Sequence, residues 1–268
     1  MIVETGKQKK KLSVYLDEGI YKTVLIIFWH GIGDCVMFQV IFDKLKELYP
    51  TIHFDIGLAK GLDEQVIIPD AILLDNLDHL EEMGYDLVAL IHFPVEVPGL
   101  TKSELCCRDE LGIEPIWGHK KLLIPKSPLV GVCFHLTSLP GLANPDRETA
   151  QKIWNEIKET GFIPIETTIE HCYHNPENQK HNFIDCTARK TKPSIKNLMG
   201  LIGNCFAFVG VVSGNFHCAM SLLPQHKICF LEKSIPLERF TKHNIKKVDI
   251  NNYLEGQIKE WLESIKEL

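Results

Sequence analysis

The stretch 23-TVLIIFWHGIGDCVMFQVIFDKLKELYP-50 decides the fold. Thr23 to Phe28 is a short, continuous, β-branched apolar run, as expected of a strand covered on both faces. After it the period changes. Val36, Met37, Val40, Ile41, Leu45 and Leu48 recur at helical spacing until Tyr49 and Pro50 stop the pattern. A strand that turns through two glycines into a helix is the opening unit of a parallel α/β sheet.

Working outward, strands are predicted at Ile52 to Gly57, Val66 to Leu74 and Asp86 to Ile91. From Phe93 to Pro128 the chain is irregular, with prolines at 94, 98, 115, 125 and 128, which suits a linker or lid. The alternation then restarts. Strands are expected at Leu129 to Phe134, Phe162 to Ile165, Phe206 to Val211 and Lys227 to Leu231, with helices at Asp146 to Thr160, Ser194 to Ile202 and Asn215 to Leu222. Tyr253 to Leu268 is amphipathic, with Leu254, Ile258, Trp261, Leu262 and Ile265 on one stripe. The pattern predicts an α/β protein with two Rossmann-like lobes, residues 1–120 and 121–268, a ligand cleft between them and a C-terminal amphipathic helix.

Bulk properties exclude several classes. The 268 residues are 45% hydrophobic and 24% charged, as in a soluble globular protein. A net charge of −6 argues against a nucleic-acid surface. Lys7, Lys9, Lys10 and Lys11 precede no apolar block and read as a solvated tail, so neither a signal peptide nor a membrane span is expected. Nine cysteines without a C-x-x-C pair read as reduced, buried thiols and a cytoplasmic location. His171, Cys172, His174 and His181 cluster in sequence, but without a second set at zinc-site spacing they read as a polar loop.

Two glycine turns carry the chemistry. In the first, Gly31 and Gly33 match two positions of G-x-G-x-x-G, Val36 occupies the third, and Asp55 falls where a ribose-binding acid would stand. Asp34, at the helix start, would repel a pyrophosphate there. It is either an N-cap or a general base, with His30 able to share the proton and the glycines letting a hydroxyl come close. The second turn, within 208-FVGVVSGNFHCAM-220, has no acid. Ser213, Gly214 and Asn215 would offer N–H groups and a hydroxyl to a diphosphate, and His217 a further donor, unless the turn is an ordinary capped helix. His135, Thr137 and Ser138 close the strand at Leu129 to Phe134 with groups able to hold phosphate or sugar hydroxyls.

In order, these motifs resemble the heptosyltransferase-like glycosyltransferases, family nine, of GT-B fold. The opening stretch is similar to that family's strand, G-x-G-D turn and helix; 198-LMGLIGNCFAFVGVVSGNFHCAM-220 is similar to its S-G-x-x-H turn; Ser234 to Phe240 (SIPLERF) is similar to its donor-side loop. The resemblance implies inverting transfer of a heptose-like or hexose sugar from a nucleotide diphosphate to a glycan or lipopolysaccharide-type acceptor. Asp34 takes the base position. Gly31, Gly33, Ser213, Gly214, His217, Arg239 and Glu170 fall among donor-binding positions. With no D-x-D stretch, neither metal nor cofactor is implied; peripheral membrane contact is allowed for. Two departures stand out: Val212 replaces an aspartate, and the lysine after 135-HLTS-138 is missing, leaving Arg147 nearest. They keep open a catalytically silent nucleotide-sugar binding protein, and Gly31, Gly33 and Asp55 an NAD-dependent oxidoreductase.

Overall fold

A computed structural model describes residues 1–6, 9–59, 68, 70–94, 99–122, 129–136, 143–167 and 195–268. The chain divides into two compact units, Met1–Lys120 with Glu238–Thr241, and Lys121–Leu237 with Lys242–Leu268.

The first unit holds a five-stranded, all-parallel sheet of strands β1 (Ile2–Glu4), β2 (Thr23–Ile27), β3 (His53–Ala59), β4 (Ile72–Leu74) and β5 (Leu87–Leu90), in the order β1-β5-β2-β3-β4. Its central strand β2 buries Val24 to Ile27 almost completely, as a continuous apolar run requires. Helices α1 (Leu12–Leu16) and α2 (Ile32–Leu48) flank it. The N-terminal stretch is thus structured: β1 pairs with β5, and Leu12 and Leu16 are buried. Elements of three and five residues are too short to show a period, which is why the lysines dominated the reading.

The region beginning at Phe93 differs from a linker. Thr101 opens helix α3 (Lys102–Leu105) with a capping box to Glu104, and the helix continues as a π-helical turn at Cys106–Leu111. Leu105, Cys106, Cys107 and Leu111 are buried there, because the prolines flank this helix and never enter it.

The second unit holds another five-stranded parallel sheet, β6 (Leu129–His135), β7 (Ile163–Glu166), β8 (Cys205–Gly210), β9 (Ile228–Glu232) and β10 (Lys246–Asp249), ordered β10-β9-β8-β6-β7. Helices α4 (Arg147–Glu159), α5 (Ile195–Asn204), α6 (Gly214–Leu222) and α7 (Gln257–Lys266) accompany it. Its core joins Phe134, Trp154, Val209 and Leu231 to Ile258, Trp261, Leu262 and Ile265 of α7. Leu254 is not in this stripe; it precedes the helix and is 67% exposed. Buried Glu156 of α4 secures the start of α7, accepting hydrogen bonds from Tyr253 Oη (2.7 Å) and from the N–H groups of Gly256 (2.9 Å), Ile258 (2.9 Å) and Lys259 (3.1 Å).

In each sheet the strand order reverses once, between β2 and β5 in the first and between β6 and β8 in the second. Loops leaving adjacent strands at such a reversal go to opposite faces, opening a crevice at the carboxyl ends where ligands bind in this class of sheet. Gly210 ends β8 opposite His135; a Cβ there would sit 2.8 Å from the His135 carbonyl oxygen. No helix among the described residues is long and apolar enough to cross a membrane.

Candidate functional site

At the first reversal, Phe28 follows β2, buried, stacked on Phe38 (centroids 4.1 Å) and edge-on to Phe93 (5.2 Å), which follows β5. The His30 N–H donates to the Phe28 carbonyl (3.1 Å), closing a three-residue turn with Trp29, 37% exposed, at its apex. Gly31 is the N-cap of α2, in extended backbone (φ −72°) that needs no glycine, and a Cβ on it would meet nothing within 4 Å. That open space is available to a ligand.

Asp34 is therefore not the N-cap. It is the third residue of α2, where its charge suits the helix dipole, and its carboxylate faces side chains of other elements. Lys102 Nζ of α3 lies 3.2 Å from Asp34 Oδ1, and His30 Nδ1 lies 3.5 Å from Oδ2. Lys102 also faces the rings of Phe93 (5.9 Å) and Phe240 (5.8 Å), which limits the positions its ammonium can take. The carboxylate and ammonium are 23% and 24% exposed, reachable by a substrate yet shielded enough for their charges to act on one another. The neighbouring Cys106 is fully buried, and its thiol is held well above its ordinary range by burial first, then by Cys107, Glu110, Asp109 and Asp34. It is not a nucleophile.

At the second reversal, Ser213 is the N-cap of α6 and its Oγ accepts from the Phe216 N–H (3.2 Å). The capped-helix reading of this turn thus holds. It leaves the anion-binding one open, since the Gly214 and Asn215 amides lie ahead of the first intrahelical bond, His217 N–H to Ser213 O (3.3 Å). His135, Asn215 and His217 are only 4%, 5% and 3% exposed. The His135 Nδ1 lies 3.0 Å from the Thr167 carbonyl oxygen, and Asn215 Nδ2 lies 2.9 Å from that nitrogen and 3.0 Å from Thr167 Oγ1. A carbonyl only accepts, so Nδ1 carries the proton toward it and the Asn215 amide donates to the threonine. These groups tie the ends of β6 and β7 to the first turn of α6 and set where its amides point. Val212 packs against the second core.

The structure brings Asp34, His30, Gly31 and Gly33 together in the first unit, and His135, Ser213, Gly214, Asn215 and His217 in the second. Arg239 clusters with the first unit, its guanidinium 5.5 Å from the Phe240 ring and its pKa lowered by burial. Thr137, Ser138, Glu170 and the His171, Cys172, His174, His181 cluster lie outside the described residues. Among the described residues, no group of three or more His, Cys, Asp or Glu side chains is arranged to hold a metal. Sequence reasoning missed Lys102 and Thr167. Lys102 had a local signal in the capping box T-K-S-E of Thr101 to Glu104; Thr167 had none.

Two five-stranded parallel sheets with accompanying helices match the architecture of GT-B-like glycosyltransferase structures. Among solved structures, the fold is similar to that of E. coli ADP-heptose LPS heptosyltransferase II (TM-score 0.69, 14% identity, 91% of this chain and 99% of that one). It is also similar to the iron-containing dodecameric glycosyltransferase TibC of enterotoxigenic E. coli H10407 (0.65, 12%, 88% and 64%) and a family 9 glycosyl transferase of Veillonella parvula DSM 2008 (0.58, 12%, 92% and 90%). The chain thus spans just under two thirds of the TibC chain. At these identities the likeness is one of fold. No protein-family model and no curated protein sequence matches the chain.

Proposed function

We propose that the protein is a glycosyltransferase that moves a sugar from a nucleotide diphosphate to a hydroxyl acceptor with inversion, using Asp34 as general base. The observation that carries this reading is the position of Asp34. Its carboxylate does not cap the helix, stands at a strand reversal beside the open space over Gly31, and is held from the side by Lys102. Asp34 takes the proton as the acceptor oxygen attacks the anomeric carbon, and the diphosphate leaves on the opposite face. The amides of Gly214 and Asn215, at the positive end of α6, stabilise the leaving charge. The first unit is then the acceptor half and the second the donor half. An ADP-linked donor is the first choice, because TibC, of the same fold, is a heptosyltransferase solved with ADP-D-β-D-heptose.

The test is a screen of ADP-, GDP-, UDP- and CMP-sugars for binding by calorimetry and for nucleotide release with glycan acceptors. Asp34→Ala is expected to lower turnover about 100 to 10,000-fold while the fold and donor affinity persist. Turnover retained in that variant would refute the assignment, and tight binding without product in the wild type would favour the silent binding module suggested by Val212. The oxidoreductase reading loses support from Asp55. It is the third residue of β3, paired with Leu25 and accepting from Tyr85 Oη (2.6 Å), whereas a ribose-binding acid stands at the carboxyl end of its strand.

A further inference from the structure

A base that captures a proton must lose it before the next turnover, and the first unit carries a line of groups suited to that loss. Asp34 Oδ2 lies 3.5 Å from His30 Nδ1; the His30 and His92 rings meet edge-on with centroids 5.8 Å apart; His92 Nε2 lies 3.8 Å from Glu4 Oε1. Exposure rises along this line, from 23% and 19% for Asp34 and His30 to 48% and 52% for His92 and Glu4. His30 Nε2 is buried and has no hydrogen-bond partner among the described residues. The 3.5 Å separation at Nδ1 is longer than an ordinary N–H···O bond. Neither nitrogen of His30 is therefore tied up in a short hydrogen bond, as a group that receives on one nitrogen and releases from the other requires. Phe28 and Phe93 hold the ring in place, at 4.4 and 5.8 Å between centroids.

We propose that His30, His92 and Glu4 form an exit path for the proton that Asp34 removes from the acceptor, leading from the base to solvent. This rests on the reading of Asp34 as the base. The acceptor O–H bond breaks and its proton joins the Asp34 carboxylate. The carboxylic acid passes it to Nδ1 of His30, which regenerates the carboxylate and makes an imidazolium. The Nε2 proton then passes to the facing edge of the half-exposed His92 ring as that ring moves against it, and from there to Glu4 or bulk water. Asp34 ends as the carboxylate and His30 as the neutral Nδ1–H tautomer, which exchanges back to Nε2–H before the next turnover, and no co-reactant is needed. Among the described residues, the other charged or titratable groups facing the line include Lys102 and Cys106 beside Asp34 and Lys9 beside Glu4. Lys9, through its hydrogen bond and charge, and then His92 hold the Glu4 carboxyl below its ordinary range.

The test needs no substrate at its first stage. Imidazole titrations of the full chain are followed by ¹⁵N NMR for the wild type and for Asp34→Asn, His92→Gln and Glu4→Gln. Linked groups require the His30 midpoint to fall by about half a pH unit or more in Asp34→Asn and to rise by a similar amount in His92→Gln. A His30 midpoint indifferent to both substitutions would overturn the proposal. At the second stage, nucleoside diphosphate release is measured with whichever of the ADP-, GDP- and UDP-sugars is turned over. His30→Gln is expected to lower kcat about 10-fold or more with donor affinity unchanged, and added imidazole to restore part of it. An unchanged kcat would equally overturn it. Linked titrations in a wild type that turns over none of these donors would instead refute the glycosyltransferase reading and leave the linkage standing.

Discussion

Asp34 is the residue on which local pattern and tertiary setting disagree. Its position after a glycine turn made it either a cap or a base, and nothing within ten residues could choose. The structure removes the cap reading, because α2 begins at Ile32, making Gly31 the cap. Lys102, 68 residues away, is what defines the carboxylate's surroundings, and a contact that distant is invisible to a reading by periodicity. Lys102→Ala is expected to lower kcat about 100-fold by releasing the carboxylate from its working position. It should cost under about 1 kcal/mol of stability, because the pair is partly solvated. Steady-state kinetics and urea unfolding on the same preparation check both halves. Ser213 was legible both as a cap and as an anion-turn residue. Its hydroxyl does cap, so Ser213→Ala should destabilise the protein by about 1 kcal/mol in denaturant titration. His135 was expected to meet a ligand, yet its Nδ1 is turned toward Thr167 and Asn215. The inward turn of that side chain depends on β7 and α6 lying beside β6, and no local pattern states that.

Among elements, those with long apolar runs or clear helical period were legible to within a few residues, since burial on both faces writes itself into composition. Short elements were not, and neither was the buried helix at Lys102–Leu105. The closing helix α7 shows what holds a terminal element that the chain would otherwise release. One carboxylate, Glu156, accepts from Tyr253 and from three backbone N–H groups at its start. Glu156→Ala should cost about 3 kcal/mol in urea unfolding, with hydrogen exchange accelerated first at Ile258 and Lys259. Burial, and then the Glu156 carboxylate, push the Tyr253 phenol far above its ordinary range. A raised folded-state pKa contributes stability that is complete below the unfolded tyrosine's value, about 10, and is lost as pH climbs past it. The protein should therefore lose stability in alkali between pH about 10 and 12, and Tyr253→Phe should flatten that limb of the stability curve.

For the whole molecule, two α/β series were legible and their strand orders were not. Sequence gives the number and kind of elements, whereas the side on which each new strand joins follows from how the helices pack. The proposed division of labour makes a prediction at this scale. ADP should slow hydrogen exchange at Gly214 and Asn215 in the second unit to the same degree in wild type and Asp34→Ala, with no change at residues 30–34. Protection that vanishes in Asp34→Ala would refute that division. A last consequence comes from Gly210. Because a methyl group at that position would collide with the main-chain oxygen of His135 as well as with the buried Phe208 ring, the mouth of the second sheet has a fixed gauge. Attempts to change what binds at this sheet edge should alter the loops beyond this throat, since widening the throat itself would unzip the two strands that carry them.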